Sequence, residues 1–436
     1  MIRVYCLKDT LLLSNVKNNN KMGRYIIHLL EMIFMSAIIM SCGNRTQLYN
    51  VEGLLSDTAR YIIDLDHVEK EYIINMSSYF DSMEIIPLET RKDVLLGRIS
   101  KIQEIDNHLF VLDKSISKSV LVFDKKGAFL FRIGKLGQGP GEYTSISDFS
   151  IDPTNRIIYL LDNRLYSVHK YALDNGKYLN SIRLSGMEVR RFHLAVLDSC
   201  LYTDAFYLSN ISDSQKQLLR MLNMSKGEEV TWMNYKDYNL GWDKIHFVSD
   251  VFYDQLDGKD VKFVQPFMNM VMELTLKGVK PYICLKSKNW LSKEELEKTE
   301  GEPAERYNSL RRISRIYNIN SFMEFDDYIF LKYEEGGIAN YLFYDKNTST
   351  FRHTDFLAND LLYNTSDYHG VDLNICFADS AGIYGSIHPF AMERFIKEKN
   401  EGRFKEKINS LKCLEQLNNE SNPIIFYLKR KRTKML

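Results

Sequence analysis

Short apolar segments of four to seven residues, separated by turn residues, run along most of the chain after residue 80. Between Ile99 and Ile133, apolar strands alternate with a turn at Asn107-His108 and a second turn from Asp124 to Gly127. Alternation of this length, bounded by Asn, Asp and Gly, is typical of β-hairpins. The stretch therefore predicts one unit of four short antiparallel strands.

The same unit recurs along the chain. Residues 146–184 repeat the pattern, with Leu161-Asp162 in the place that Leu112-Asp113 holds 49 residues earlier. This spacing is close to the ~40 to 50 residues of one β-propeller blade. Two further segments, 192–232 and 319–356, carry weaker copies of the unit, and residues 263–285 can supply the blade between them. The range 235–315 departs most from a clean repeat.

Strands from both ends of the chain complete the predicted ring, because a blade shared between the ends leaves no free sheet edge. The candidate strands for this blade are 83–88, 373–376, 382–386 and 422–428. Two segments of helical composition, near 292–313 and 392–416, are predicted insertions, and Ser292 and Glu295 have the spacing of a capping box. The sequence thus predicts an all-β fold: a six-bladed β-propeller of four-stranded antiparallel blades with short helical insertions.

Charge and cysteine usage narrow the range of functions. Lys and Arg together number 57, as do Asp and Glu, so the formal net charge is zero. Nucleic-acid binders usually carry a strong basic excess, so no nucleic-acid partner is expected. The six cysteines show no CxxC spacing and the nine histidines form no HExxH or HxH pair. We therefore predict no metal site and no cofactor.

The amino-terminal segment has the features of a secretory signal. Lys21 and Arg24 precede an apolar run that ends in Ile39-Met40-Ser41-Cys42. A positive start, a short apolar stretch and a small residue before the cleavage point define a signal peptide. A single spanning anchor is the alternative, although the run is shorter than the ~20 residues that a span requires. Gly43 to Gln47 contain no acidic run, which favours a periplasm-facing anchor over the cell surface.

These observations give a predicted domain organisation. Its parts are an upstream extension and lipoprotein signal peptide (1–41), an N-terminal tether (42–79), the propeller (80–428) and a basic tail (429–436). Ile39 to Cys42 resemble the lipobox of bacterial lipoproteins, in which the cysteine carries the lipid. The resemblance implies that Cys42 is the lipid attachment site and that an acyl anchor tethers the mature chain to the membrane of the cell envelope.

Several motifs resemble those of a known family. They are Ile86 to Thr90, Val122 to Gly127, Ile133 to Tyr143 and Asn422 to Ile424, and the resemblance covers about residues 80–428. Together they resemble the six-bladed β-propeller lipoproteins of Gram-negative gut anaerobes, and the GQGPGEY run also resembles the blade joints of NHL-repeat propellers. The resemblance implies a fold and an envelope location but no established reaction.

Few residues stand out as candidates for binding. The glycine-rich run Gly137 to Gly141 could cradle an anion, but it lacks a GK(S/T) ending, and a sharp crossing between blades explains it better. Nearby side chains and two histidines that could reach the central channel are the candidate ligand-binding residues: Gln138, Glu142, Tyr143, His193 and His388. The sequence identifies no catalytic residue.

A binding or scaffolding module on the cell envelope is the function that the sequence favours, because propellers present loops and a central funnel suited to recognition. A glycan, a peptide or an envelope protein is the expected partner. The alternative is a propeller enzyme of the lyase or glycoside hydrolase type with its site in the central channel. A purely structural part of a larger envelope complex is the third possibility.

Overall fold

A computed structural model describes residues 47–48, 58–207, 211–243, 250–254, 260–276, 278–365, 370 and 373–431. The signal peptide and Cys42 lie outside these residues. In the described part, six small antiparallel sheets are arranged as the blades of a six-bladed β-propeller, which confirms the predicted fold class.

Blades 1 to 3 follow one another directly in the chain. Blade 1 contains strands Ile99–Ile105, His108–Asp113, Ser119–Asp124 and Phe129–Ile133. Blade 2 contains Asp148–Asp152, Ile157–Asp162, Ser167–Ala172 and Tyr178–Arg183. Blade 3 contains Leu194–Leu197, Cys200–Asp204, Gln217–Asn223 and Glu228–Asn234.

Blades 4 to 6 complete the ring. Blade 4 contains Phe252–Tyr253, Val261–Phe263, Met270–Thr275 and Gly278–Lys286. Blade 5 contains Ile316–Glu324, Tyr328–Glu335, Ile338–Asp345 and Thr350–Thr354. Blade 6 contains Leu373–Asp379, Gly382–Ile387, Ile424–Arg430 and Phe80–Pro87. Within each blade the strands are given from the innermost to the outermost.

Blade 6 joins the two ends of the ring. Strand Phe80–Pro87 pairs antiparallel with Ile424–Arg430, and Ile85 lies opposite Phe426, whose ring is fully buried. The predicted shared blade is confirmed. The last strand continues through Lys429 and Arg430, which the sequence assigned to the basic tail, because Arg430 reaches Asp327 at 3.6 Å and the ring of Phe325.

The segment predicted as a tether supplies short strands to the outer edges of blades 3 and 4 and one strand of a separate two-stranded sheet that follows blade 5. Gln47–Leu48 pairs in parallel with blade 3, and Tyr61–Asp64 pairs in parallel with strand Gly278–Lys286 of blade 4. Ile74–Asn75 then pairs with Leu357–Ala358, just after the last strand of blade 5. An exposed sheet edge is a template for unwanted pairing, so these short strands protect the rim of the ring.

Apolar packing between neighbouring blades forms the core. Phe110 and Val122 of blade 1, for example, pack against Phe149, Leu160 and Tyr171 of blade 2. Strands covered on both faces lose the alternation of a half-exposed sheet, which explains continuous apolar runs such as Leu109 to Leu112. The outermost strand of blade 2, Tyr178–Arg183, faces solvent and is largely polar.

Helices occur between strands of the ring. The α-helices are Tyr235–Tyr238, Lys293–Glu297, Pro303–Leu310, Met392–Asn400 and Glu406–Asn409. The 3₁₀ helices are Leu65–His67, Met76–Ser78, Asp213–Gln215, Pro389–Ala391 and Lys412–Leu414. The capping box of Ser292 and Glu295 is present. Within the described ranges, no helix is long and apolar enough to cross a membrane.

Candidate functional site

The innermost strands of the blades surround an axial channel that contains two consecutive cavities. Cavity 1, of about 210 Å³, is lined by later residues of these strands, such as Lys101 to Gln103 of blade 1. Cavity 2, of about 350 Å³, is lined by earlier ones, such as Arg98 to Ser100. Four residues belong to both linings: Asp250, Tyr253, Met323 and Cys376. The two cavities therefore meet inside the ring.

Carboxylates surround the lysine ammonium groups of cavity 1. Lys262, which is 4% exposed, contacts Asp260 and lies 3.5 Å from a carboxylate oxygen of Glu273 and 3.6 Å from one of Glu324. Its ammonium also lies 4.1 Å from the ring centre of Tyr282. Burial raises the pKa of the Asp260 carboxyl, against the opposing effect of the Lys262 ammonium.

Glu324 is the common acceptor of this cavity. It accepts hydrogen bonds from the Tyr282 hydroxyl and from Lys346 Nζ, each at 2.5 Å. Burial and the adjacent Glu324 carboxylate raise the pKa of Tyr282, so its hydroxyl keeps its proton. Glu324 thus connects Tyr282, Lys346 and Lys262 through hydrogen bonds and ion pairs in the wall of cavity 1.

A second buried ion pair joins blades 1, 2 and 3. Lys101 Nζ donates to Asp148 Oδ1 at 2.9 Å and to the Phe149 carbonyl at 2.8 Å. The other oxygen of Asp148 accepts the backbone N–H of Leu194 at 2.9 Å. Burial lowers the pKa of Lys101, but Asp148 and Asp250 outweigh it and hold that pKa above its ordinary value. Lys101 therefore keeps its charge, and its bonds to Asp148 and Phe149, with that of Asp148 to Leu194, connect three inner strands.

Asp250 and Cys376 lie where the cavities meet. Burial raises the pKa of the Asp250 carboxyl, with Asp148 acting in the same direction and Lys101 against it. Burial also raises the pKa of the Cys376 thiol to about 12. A thiol with that pKa stays protonated at neutral pH, so Cys376 is not a nucleophile there. Asp250 supplies a carboxyl group to the lining of both cavities.

Cavity 2 differs from cavity 1 because two of its cations have no carboxylate partner among the described residues. Arg98 and Lys114 line it, and neither has a carboxylate within ion-pair distance among the described residues. Uncharged polar residues complete much of its wall: Ser100, Ser115, Asn320, Ser321 and Asn374. Lys332 also lines this cavity, and Asp250 supplies its acidic group. This end of the channel offers positive charge and uncharged donors and acceptors to a ligand.

The loop that carries Gln138, Glu142 and Tyr143 makes the crossing from blade 1 to blade 2. Glu142 accepts the N–H of Gly139 at 2.9 Å and pairs with Lys135 at 3.0 Å. Tyr143 is buried and donates its hydroxyl to the Lys118 carbonyl, while Gln138 is exposed. None of the three belongs to the lining of cavity 1 or cavity 2. In the described structure these residues shape the crossing.

Gly141 shows why this crossing needs glycine. Its φ is +75°, and a Cβ placed on it would lie 2.7 Å from the side chain of Tyr178. A side chain there would meet both backbone strain and a clash. Of the glycines in this run, Gly141 has a positive φ, whereas Gly137 and Gly139 have the Glu142 carboxylate packed against their backbone.

The two predicted histidines lie apart from each other and outside both channel cavities. His193 is buried and directly precedes the inner strand of blade 3. Its Nδ1 lies 2.8 Å from a carboxylate oxygen of Asp204. The ring of His388 packs on Phe390, and burial together with nearby Arg98 lowers its pKa. His388 is therefore a neutral neighbour of cavity 2 at physiological pH. Cys42 lies outside the described residues.

Sequence reasoning missed the residues that line the channel. Lys101, Asp148 and Asp250 come from three different blades, and no local spacing links them. One signal was available: a charged residue inside the first strand of a repeat unit, as with Lys101, faces the axis of a propeller. Aligning the inner strands of all six units would have placed these side chains together.

Comparison with known proteins supports the fold and places the chain in a family. A Bacteroides fragilis protein assigned as exported has a crystal structure with 22% sequence identity and a TM-score of 0.67, covering 85% of this chain and 100% of its own. A Bacteroides vulgatus member of the DUF4221 family has 13% identity and a TM-score of 0.48, covering 81% of this chain and 98% of its own. No curated protein matches the chain. The sequence profile of the family described as domain of unknown function DUF4934 matches residues 60–429, and the chain belongs to that family.

Proposed function

We propose that this protein is an envelope-anchored binding module that holds a small polar ligand in its axial channel. The observation that carries the proposal is the pair of consecutive cavities, whose charged and polar lining comes from the innermost strands of the blades. Cavities of a few hundred Å³ with convergent polar groups are the usual form of small-molecule sites. The glycan, peptide or envelope-protein partner predicted from the sequence would engage this channel.

The predicted signal peptide supports the envelope location. Residues 22–42 have the order of a lipoprotein signal, and Cys42 would carry the lipid, with the chain facing the periplasm. The structurally similar Bacteroides fragilis protein, assigned as exported, is consistent with this location. In this proposal the residues after Cys42 connect the lipid to the ring.

Changing Cys42 to alanine tests the anchor. The full chain expressed in a Gram-negative host is expected to gain the mass of a lipid and to fractionate with membranes, because the lipidated cysteine is its only predicted anchor. The Cys42→Ala variant should gain no such mass and should leave the membrane fraction. Intact mass and membrane partition measure both effects. If both proteins behave alike and retain residues 22–41, lipid attachment at Cys42 is excluded.

Filling cavity 2 tests the binding site. Ser100 lies in the wall of this cavity, so a Ser100→Trp variant should occupy the space and abolish ligand binding. The matched control is Asn180→Trp on the exposed outer strand of blade 2. Both variants and the wild type are compared on an array of envelope glycans and peptides, after circular dichroism has shown that each is folded. A ligand that still binds Ser100→Trp would place the site elsewhere, and a wild type that binds nothing on the array would count against a binding module.

One observation favours a channel enzyme as the second candidate. The Asp250 carboxyl, with its raised pKa, faces both cavities and could donate a proton to a bound substrate. Turnover of an array ligand by the wild type, lost in Asp250→Asn, would establish this alternative.

A further inference from the structure

We propose that cavity 2 selects a sugar-sized organic anion, whose acid group is held by Arg98 and Lys114. The inference rests on the proposed function, because it assigns a ligand class to the same channel. It follows from the contrast between the two cavities: the three lysines of cavity 1 each have a carboxylate within 4 Å and its Arg60 lies over two tyrosine rings, whereas Arg98 and Lys114 of cavity 2 have no carboxylate within that distance among the described residues.

The two cavities differ in how many of their cations have a carboxylate partner. In cavity 1, Lys262, Lys346 and Lys101 each contact at least one carboxylate within 4 Å. In cavity 2, Arg98 and Lys114 lack such a partner in the described part of the chain. Arg98 is exposed and Lys114 is partly buried, and two unpaired cations at one cleft raise the local concentration of anions. An incoming anion is therefore drawn to cavity 2.

Asp113 holds in place the two backbone segments that carry Arg98 and Lys114. Asp113 accepts N–H groups from Gly97 and Arg98 before the inner strand, and from Ser115 to Ser117 after the second strand. Lys114 follows directly after Asp113, so one carboxylate fixes both segments that carry the cations. The Asp113 carboxylate is thus occupied by hydrogen bonds from these backbone groups. Burial raises the pKa of this carboxyl, but the hydrogen bonds outweigh burial and hold the pKa below its ordinary value. The segments are thus in place before a ligand arrives.

The uncharged residues of cavity 2 define the rest of the ligand. Asn320 has a side-chain oxygen that is buried and accepts no hydrogen bond within the described chain, and Ser321 and Asn374 line the same wall. Amides and hydroxyls of this kind match the hydroxyl groups of a sugar. Tyr253 adds an aromatic ring, and the Asp250 carboxyl adds an acceptor on the side facing cavity 1. The ligand would thus place its acid group near Arg98 and Lys114 and its hydroxyls toward Asp250.

The size of cavity 2 suits a small ligand. About 350 Å³ is at the lower end of the range of ~300 to 1,000 Å³ found for small-molecule sites. A single sugar ring with its acid group fits such a space. A uronic acid and a sulfated monosaccharide share the required chemistry, and they differ only in the acid group.

Calorimetric titration at low ionic strength tests the inference with three defined probes: sodium glucuronate, glucose 6-sulfate and glucose. We expect at least one of the two anions to bind about tenfold tighter than glucose, because a charge-assisted hydrogen bond is worth about 1.5 to 3 kcal/mol. Comparing the two anions identifies the acid group. Equal binding of glucose and the anions, or binding of none of the three, would overturn the inference.

Charge-neutral variants show whether Arg98 and Lys114 are responsible. The variants Arg98→Gln and Lys114→Gln should each weaken binding of the preferred anion by about tenfold or more while leaving glucose unchanged. Lys126→Gln, in an exposed turn of the same blade, is the matched control and should have no effect. Anion binding that survives in the double variant would exclude these residues. A neutral array ligand that is blocked by Ser100→Trp would overturn this inference while leaving the proposed function intact.

Discussion

Replacing Asn422 by alanine is expected to lower the free energy of unfolding by about 3 kcal/mol, because three buried backbone groups would lose their partner. Asn422 Oδ1 accepts the N–H of Leu96 at 2.8 Å. Its Nδ2 donates to the carbonyls of Glu89 and Val94, both at 2.7 Å. The side chain is 2% exposed, so water cannot replace these bonds. Urea denaturation followed by circular dichroism measures the loss.

The position of Asn422 explains why the effect should be large. It immediately precedes the last strand of blade 6, whereas its partners lie in the segment that leads from blade 6 into blade 1. The hydrogen bonds therefore connect residues more than 300 positions apart at the closure of the ring. Loss of this connection loosens the joint where the two chain ends meet.

Two further variants separate this role from simple loss of volume. Asn422→Asp keeps an acceptor for Leu96 but places a carboxylate against the carbonyls of Glu89 and Val94. Its destabilisation at pH 7 should at least equal that of alanine and should decrease at low pH, because protonation raises the number of donors and the buried carboxyl has a raised pKa. Asn180→Ala, on the exposed rim, should change stability by less than about 0.5 kcal/mol. Equal stability of Asn422→Ala and Asn180→Ala would contradict the predicted role.

The blades could be predicted from sequence because each is a local unit. Turn residues with a fixed role mark its boundaries: Asp124 accepts the N–H groups of Lys126 and Ala128, and Gly127 takes a φ of +86°. The predicted position of one hairpin turn, Asn107-His108, was wrong by one residue. The positive φ angles fall on Asp106 and Asn107, so His108 begins the next strand rather than ending the turn. Such an Asp-Asn pair suits the tight turn between twisted strands.

The repeated Leu-Asp pair had a physical basis that the alignment alone did not show. Asp113 and Asp162 end the second strands of blades 1 and 2, and each accepts N–H groups that precede its inner strand. Asp204 does the same in blade 3 for Phe192 and His193. This repeated role places His193 beside Asp204, directly before the inner strand of blade 3.

The channel and the outer edge strands could not be read from the sequence. Channel residues such as Asp148 and Asp250 are brought together only when the ring closes, so their proximity leaves no spacing to detect. The edge strands Tyr61–Asp64 and Ile74–Asn75 are short parallel pairings, and two to four residues are too few for a periodic signal. Local patterns thus predicted the blades, while the site depends on contacts between blades.

Removing one member of the Lys101–Asp148 pair is expected to destabilise the protein by about 3 to 5 kcal/mol, because the remaining charge would be buried without a partner. Lys101 is 7% exposed and Asp148 is 1% exposed, so solvent cannot screen either charge. The Lys101→Met variant removes the ammonium but keeps a side chain of similar length. Chemical denaturation of this variant and the wild type measures the difference in unfolding free energy.

The double variant Lys101→Met/Asp148→Asn distinguishes a lost charge partner from lost packing. The asparagine keeps an oxygen that can accept the N–H of Leu194, and both charges are gone. Most of the stability should return, so the two changes should show a coupling energy of more than about 1 kcal/mol. Additive effects of the two single changes would contradict the ion-pair explanation.

The pH dependence of Lys101→Met gives a second, independent test. In the Lys101→Met variant the Asp148 carboxylate would be buried without its cation, and burial of an unpaired carboxyl disfavours its charged form in the folded state. A carboxyl with a raised folded-state pKa favours folding at low pH and opposes it as the pH rises through that pKa. The difference in stability between the variant and the wild type should therefore shrink as the pH falls toward the ordinary range of aspartate. A difference that does not change with pH would mean that the loss comes from packing, and that the inner strands of blades 1, 2 and 3 are not held together by charge.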